Sequence, residues 1–267
     1  MPCSHRMRQR LEWGKLNPDR DGRGSANMIQ FESVTKSYLG LPPVLEEVNL
    51  TINEGDFFYL TGVSGAGKTT IFKLLMLMEL PTAGTIHFMG KPLSRPSPRQ
   101  RALHRRRIGM VFQDYKLLPD ESIQDNVALP LRIAGFGRAE IHRRTTALLE
   151  QVGLAERRND PTMVLSGGEK QLVSIARALT LEPALVLADE PTGNLDHAMA
   201  LRVMELLQTI HAAGRTVIVA THDINLIRSS WARTLLIKER TIHEVRLSNA
   251  APGEADGVHA PGAAAAG

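Results

Sequence analysis

Cysteine is nearly absent. The single one, Cys3, rules out a disulfide within the chain and suits a reducing, cytosolic setting. Aromatic residues make up only 4% of the sequence, so aliphatic side chains must do most of the packing; apolar residues, at 43%, suffice for a core. No apolar run approaches the roughly 18–20 residues needed to span a bilayer. Any work at a membrane therefore needs another chain to bring this one there. The opening stretch, MPCSHRMRQRLEWGK, has no hydrophobic segment and is not expected to be a secretory signal. Charge of one sign is not strongly in excess either. A net charge of +4 permits contact with anionic partners without arguing for one, and no specific nucleic-acid partner is expected.

What is present is an alternation. Residues 1–27 are polar and basic and read as a disordered extension; residues 249–267 are a low-complexity tail expected not to pack. Between them, MIQFESV and VLEEVNLTI alternate with period two, as half-exposed strands do. ALVLAD (184–189) and TVIVATH (216–222) are continuous apolar runs suited to central parallel strands buried on both faces. Helical stretches are expected at Lys68–Met78, Glu169–Leu181 and Ala198–Ala213. This order predicts an α/β core. Residues 115–161 instead look all-helical, with Ile141, Leu148 and Val152 at helical spacing, and read as a subdomain inserted into that core. The arginines at 99, 101, 105, 106 and 107 read as a solvated helix face or as a contact for anionic lipid.

The strand DFFYLTG runs into Gly62-Val63-Ser64-Gly65-Ala66-Gly67-Lys68-Thr69, which fits G-x-x-x-x-G-K-[ST]. Such a loop wraps phosphate in backbone N–H groups and sets it against a helix N-terminus. Lys68 would neutralise the β- and γ-phosphates, and the Thr69 hydroxyl would ligate Mg²⁺. Asp189 and Glu190 close the run ALVLAD. At the C-terminal end of a central strand they lie where open α/β sheets bind ligands. Asp189 would hold Mg²⁺ and Glu190 would deprotonate the attacking water. An Asp-Glu pair alone would more often cap a helix. Leu165-Ser166-Gly167-Gly168-Glu169 opens another helix and makes a second anion-binding end.

LSGGEKQ, preceded by the phosphate loop and Gln113 and followed by ADEPTGNLD and ATHD, closely resembles the ATP-binding cassette (ABC) family over about Met28–Ser248. The resemblance implies a RecA-like P-loop core with an antiparallel β subdomain and an inserted helical subdomain, so that residues 28–248 form one ABC ATP-binding domain. It also implies site residues. Gly62, Ser64, Gly65, Ala66, Gly67, Lys68, Thr69 and Thr70 would hold ATP, and Tyr38 would stack on adenine. Glu190, His222 and Gln113 would be catalytic, His222 contacting the γ-phosphate. Thr69, Gln113 and Asp189 would serve Mg²⁺. Ser166, Gly167 and Gly168 would contact ATP held by a second copy, and Asp196 would bridge the two. The active unit would be a head-to-tail homodimer, attached to an integral membrane subunit at the cytoplasmic face of the cell membrane. IGMVFQDYKLLP, DNVALPLRIAG and VIVATHDINLI resemble the cell-division branch of the family; lipoprotein-release and macrolide-export ATPases share TGNLD but differ more at QDYKLL and HDINLI. The chain departs from the family at Leu172, where arginine is usual, and at Lys170, where glutamine is common. One phosphate loop and no long insertion set it apart from the soluble cassette proteins of DNA repair and translation.

Overall fold

The computed structural model describes residues 27–228, 232–245 and 258–259. The chain opens with β1 (Asn27–Lys36), β2 (Leu45–Asn53) and β3 (Phe57–Thr61), then α1 (Lys68–Leu75). Next come β4 (Ala83–Phe88), β5 (Lys91–Pro92), α2 (Pro98–Arg105) and β6 (Ile108–Val111). The inserted helices are α3 (Ile123–Ala134) and α4 (Arg138–Val152), followed by α5 (Gly167–Leu179), β7 (Leu185–Asp189) and α6 (His197–Ala212). The fold closes with β8 (Thr216–Ala220), α7 (Ile224–Arg228), β9 (Arg233–Lys238), β10 (Thr241–Val245) and β11 (Val258–His259).

Two sheets form. One is antiparallel, in the order β2-β1-β4-β5; the other runs β11-β10-β9-β3-β8-β7-β6, its five members from β9 to β6 all parallel. The central strands show why the apolar runs are continuous. Alternate residues of β7 and β8 enter different cores. Leu185, Leu187 and Ile218 join Ile71, Phe72 and Leu75 of α1 on one face. Val186, Ala188, Val217 and Val219 join Leu172, Val173 and Ile175 of α5 on the other. A strand covered on both faces has no polar alternation to display. The antiparallel sheet packs on the α1 side, through Ile29, Phe31 and Ile86.

The insertion is shorter in helix than its sequence implies. Residues 112–122 form a loop, with Tyr115 and Lys116 at φ +61° and +49°, a region closed to helix. The ends of the insertion are stitched together by Ile123 N donating to Asp160 O (2.9 Å) and Thr162 N to Glu121 O (3.1 Å). On α4 the inward face is Thr145, Leu148, Leu149 and Val152, while Ile141 is half-buried. Within the expected tail, Val258–His259 pairs antiparallel with Glu244–Val245. The expected extension, apart from Asn27, lies outside the described residues, as does the rest of the tail.

The arginine run divides its work. Arg105 donates to the carbonyls of Met76 (2.9 Å) and Leu77 (3.0 Å), and the neighbouring His104 bonds Leu75 O at 2.6 Å. Together they satisfy the carbonyls that end α1. Arg99 and Arg106 are exposed. His104 is buried edge-on to Phe88, and this burial holds its pKa below the ordinary 6.5. The unfolded chain therefore takes up a proton that the folded chain refuses. The His104 contribution is fully present above about pH 6.5 and declines as the pH falls below that value. Urea unfolding of the wild type should lose more stability between pH 7 and pH 5 than that of His104→Gln. Equal losses in the two proteins would remove His104 from the account.

Candidate active site

The site forms along the C-terminal edge of the parallel sheet. After β3 the chain turns through Gly62 and Gly67, at φ +152° and +114°. A side chain at Gly62 would meet Ile237 O at 2.9 Å, so the turn admits no β-carbon. Gly67 stands at the N-cap of α1, which has neither a side-chain cap nor an acidic residue in its first turn. The amide groups there have no side-chain acceptor and open onto the exposed loop Val63–Gly65, an arrangement suited to phosphate. Lys68 Nζ folds back to donate to Gly62 O (2.8 Å) and Val63 O (3.4 Å).

Strand register brings the other candidates to this loop. Leu60 pairs with Ala220, Ala220 with Asp189, and Ala188 with Val111. Residues just past those positions therefore line up along one edge of the sheet, in the order Gly62, His222, Glu190 and Gln113. Thr221 N donates to Leu60 O (3.1 Å) and Glu190 N to Ala220 O (2.8 Å), fixing the strand ends together. Thr69 Oγ1 donates to Asp189 Oδ2 at 3.4 Å. Burial, reinforced by Glu190 next to it, pushes the Asp189 carboxyl above its ordinary pKa, partly offset by Thr69 and Lys68.

Glu190 adopts φ +45°, a strained conformation for a residue with a β-carbon. Its carboxylate lies 2.8 Å from His222 Nδ1. The Glu190 side chain is only 11% exposed, against 73% for His222, so the carboxylate is sheltered and the imidazole stands at the mouth. A carboxylate only accepts, which places the proton on Nδ1 and leaves Nε2 to face a ligand. Gln113 is exposed on the loop after β6. Tyr38, half-buried, holds its hydroxyl 3.4 Å from Thr70 Oγ1, with Lys36 Nζ 5.0 Å from its ring centre.

Ser166–Gly168 are placed differently. Ser166 caps α5: its Oγ accepts from Glu169 N (3.3 Å), while the Glu169 carboxylate accepts from Ser166 N (2.9 Å). The Ser166 backbone N–H, then the Ser166 hydroxyl and Arg157, hold the Glu169 carboxyl below its ordinary pKa, and Arg157 also pairs with Asp160. Because α5 and α1 pack on opposite faces of the sheet, this end of α5 does not join the chain's own phosphate loop. Asp196 is exposed and caps α6 by accepting from Met199 N (2.9 Å). Leu172 is buried against the second core, so the departure from the usual arginine adds an apolar contact. Sequence reading missed Arg177 and Asn126. Arg177 donates to Lys116 O and Tyr115 O, both at 2.6 Å, and Asn126 bonds both backbone groups of Leu118. The available signal was an arginine inside the largely apolar stretch LVSIARAL.

This fold and this edge of strand ends define the class: the chain belongs to the ABC transporter family, whose sequence profile matches residues 45–193, more than half of its length. It is accordingly an ATP-binding ABC ATPase. Its relatives include the cell division ATP-binding protein FtsE of Escherichia coli (strain K12), 46% identical over 216 residues, covering 81% of this chain and 97% of that protein. The methionine import ATP-binding protein MetN 3 of Oceanobacillus iheyensis is 36% identical over 221 residues, covering 81% of this chain and 65% of that protein. Among solved structures, the ATP-binding cassette MJ0796 superposes with a TM-score of 0.73 at 34% identity, covering 80% of this chain and 96% of that one. That structure is a dimer in a post-hydrolysis state bound to ADP and Pi.

Proposed function

We propose that the chain is the Mg-ATP-hydrolysing subunit of an FtsE-type cell-division complex. It would work as a homodimer at the cytoplasmic face of the inner membrane with an integral subunit of FtsX type, and serve the control of cell-wall hydrolysis. The observation carrying the catalytic part is the pairing of Glu190 with His222 at 2.8 Å beside the phosphate loop. The cell-division part rests on 46% identity to a protein matched over 97% of its length.

In this reading the loop amides from Gly62 to Thr70 receive the phosphate oxygens, Lys68 exchanges the Gly62 carbonyl for the β- and γ-phosphates, and Tyr38 stacks on adenine. Thr69 and Asp189 are hard oxygen donors 3.4 Å apart and fit Mg²⁺, and Gln113, on the loop after the adjoining strand, would complete the set. Mg²⁺, when bound, supplies neutralisation of phosphate charge. Glu190 takes the proton of a water whose oxygen bonds the γ-phosphorus as the bond to the ADP oxygen breaks. His222 offers Nε2 to the γ-phosphate. Ser166–Gly168 reach the ATP of a second, head-to-tail copy, which the separation of α5 from α1 supports. Asp196 bridges the copies while capping α6.

The assignment is tested by purifying the tagged full chain from its native membranes in mild detergent and identifying what accompanies it. One integral subunit of the division machinery is expected. A lipoprotein-release or macrolide-export permease would reassign the complex, and recovery without any membrane protein would place the chain with soluble cassette proteins.

A further inference from the structure

The loop that carries Gln113 is held by the helical side of the molecule at an unusual pair of residues. Tyr115 and Lys116 are consecutive, non-glycine and both left-handed, a backbone disfavoured for any residue with a β-carbon. Local bonds do form within the loop, from Tyr115 N to Phe112 O (3.1 Å) and from Lys116 N to Asp114 O (2.6 Å). Its two left-handed carbonyls, however, are taken by one guanidinium. Arg177 Nη2 donates to Tyr115 O and Nη1 to Lys116 O, each at 2.6 Å. A planar fork suits two neighbouring carbonyls in a way that a lysine ammonium does not.

Arg177 belongs to the last turn of α5, and Ser166 caps the first. They stand eleven positions apart along the helix, a rigid span of roughly 16 Å. The other end of that span also meets the loop, since a β-carbon at Gly167 would lie 3.1 Å from the Tyr115 hydroxyl. Helix α5 thus touches the Gln113 loop through a side chain near its C-terminus and through backbone at its N-terminus. We propose that Arg177 is a positioning residue: it clamps the Gln113 loop to α5, so that seating Ser166–Gly168 on a partner's nucleotide sets Gln113 in its working position. This rests on the roles given above to Gln113 and Ser166. Arg177 touches no nucleotide in this account and acts only through the loop.

The test is a double-mutant cycle on the full chain. Arg177→Met, which keeps an unbranched apolar stem and removes the guanidinium donors, should lower kcat for ATP at least tenfold. Affinity for a fluorescent ATP analogue should stay within twofold of wild type. Arg177→Lys, which keeps the charge but not the fork, should fall between, and it carries the test if the methionine variant does not fold. In a Gln113→Ala background, Arg177→Met should cost less than a further twofold, because the group it positions is gone. Equal kcat losses in both backgrounds would reduce Arg177 to a structural residue and overturn the proposal, as would an undiminished kcat in Arg177→Met. If Gln113→Ala itself leaves kcat unchanged, the role of Gln113 fails and the clamp with it. If Gln113→Ala lowers kcat and Arg177→Met does not, the clamp alone fails.

Discussion

Glu190→Gln should bind ATP as the wild type does and hydrolyse it about 10²–10⁴-fold more slowly, the usual worth of a positioned general base. The substitution keeps side-chain length and leaves a carbonyl oxygen that His222 Nδ1 can still reach across 2.8 Å, so the geometry survives while basicity is lost. Backbone strain at φ +45° is also unchanged, since glutamine bears the same β-carbon. A stability change is therefore not expected to accompany the kinetic one. Single-turnover phosphate release, with binding followed separately by fluorescence, checks both halves. Turnover within a few-fold of wild type would remove Glu190 as the base and direct attention to His222.

Lys68→Ala should act one step earlier, on binding. Lys68 Nζ donates to the Gly62 and Val63 carbonyls. Exchanging these for phosphate gives charge-assisted bonds worth about 1.5–3 kcal/mol, so the alanine variant should bind ATP roughly 10- to 150-fold more weakly. The loop's own shape depends on Gly62 and Gly67 rather than on Lys68. The variant should accordingly melt near the wild-type temperature without nucleotide but lose the stabilisation that ATP confers on the wild type. Calorimetric titration checks the affinity, and a thermal melt with and without ATP checks the linkage. Unaltered affinity would mean that the loop amides suffice.

Much of this was legible in the sequence where a local pattern dictates a local structure. The runs ending at Asp189 and Ala220 are central strands because both faces are covered, and the phosphate loop is marked by glycines with few alternatives. Short strands were not legible. IGMV of β6 and RTLLIK of β9 are too brief and mixed to carry a period, yet β6 delivers Gln113 and β9 flanks β3. Strand order is set by contacts far apart in sequence, so the adjacency of Gly62, His222, Glu190 and Gln113 came from register. Residues 115–122 fall in the segment expected to be helical yet form a loop, because nothing in YKLLPDE signals two left-handed residues; the carbonyls of both bond Arg177, far away in sequence. In the basic run 99–107 the arginines at 99, 105, 106 and 107 are exposed, as the sequence implies, while Arg105 and His104 also close the end of α1, which no local pattern signals.

In the proposed function one chain holds only half of each working site. Light scattering on the Glu190→Gln protein, with and without ATP, tests it most directly. A mass near 29.4 kDa is expected without nucleotide and twice that with ATP. With Ser166→Arg added, ATP should leave the mass unchanged, because α5 can then no longer seat on the partner's nucleotide. An ATP-loaded monomer, or a dimer indifferent to Ser166→Arg, would contradict it.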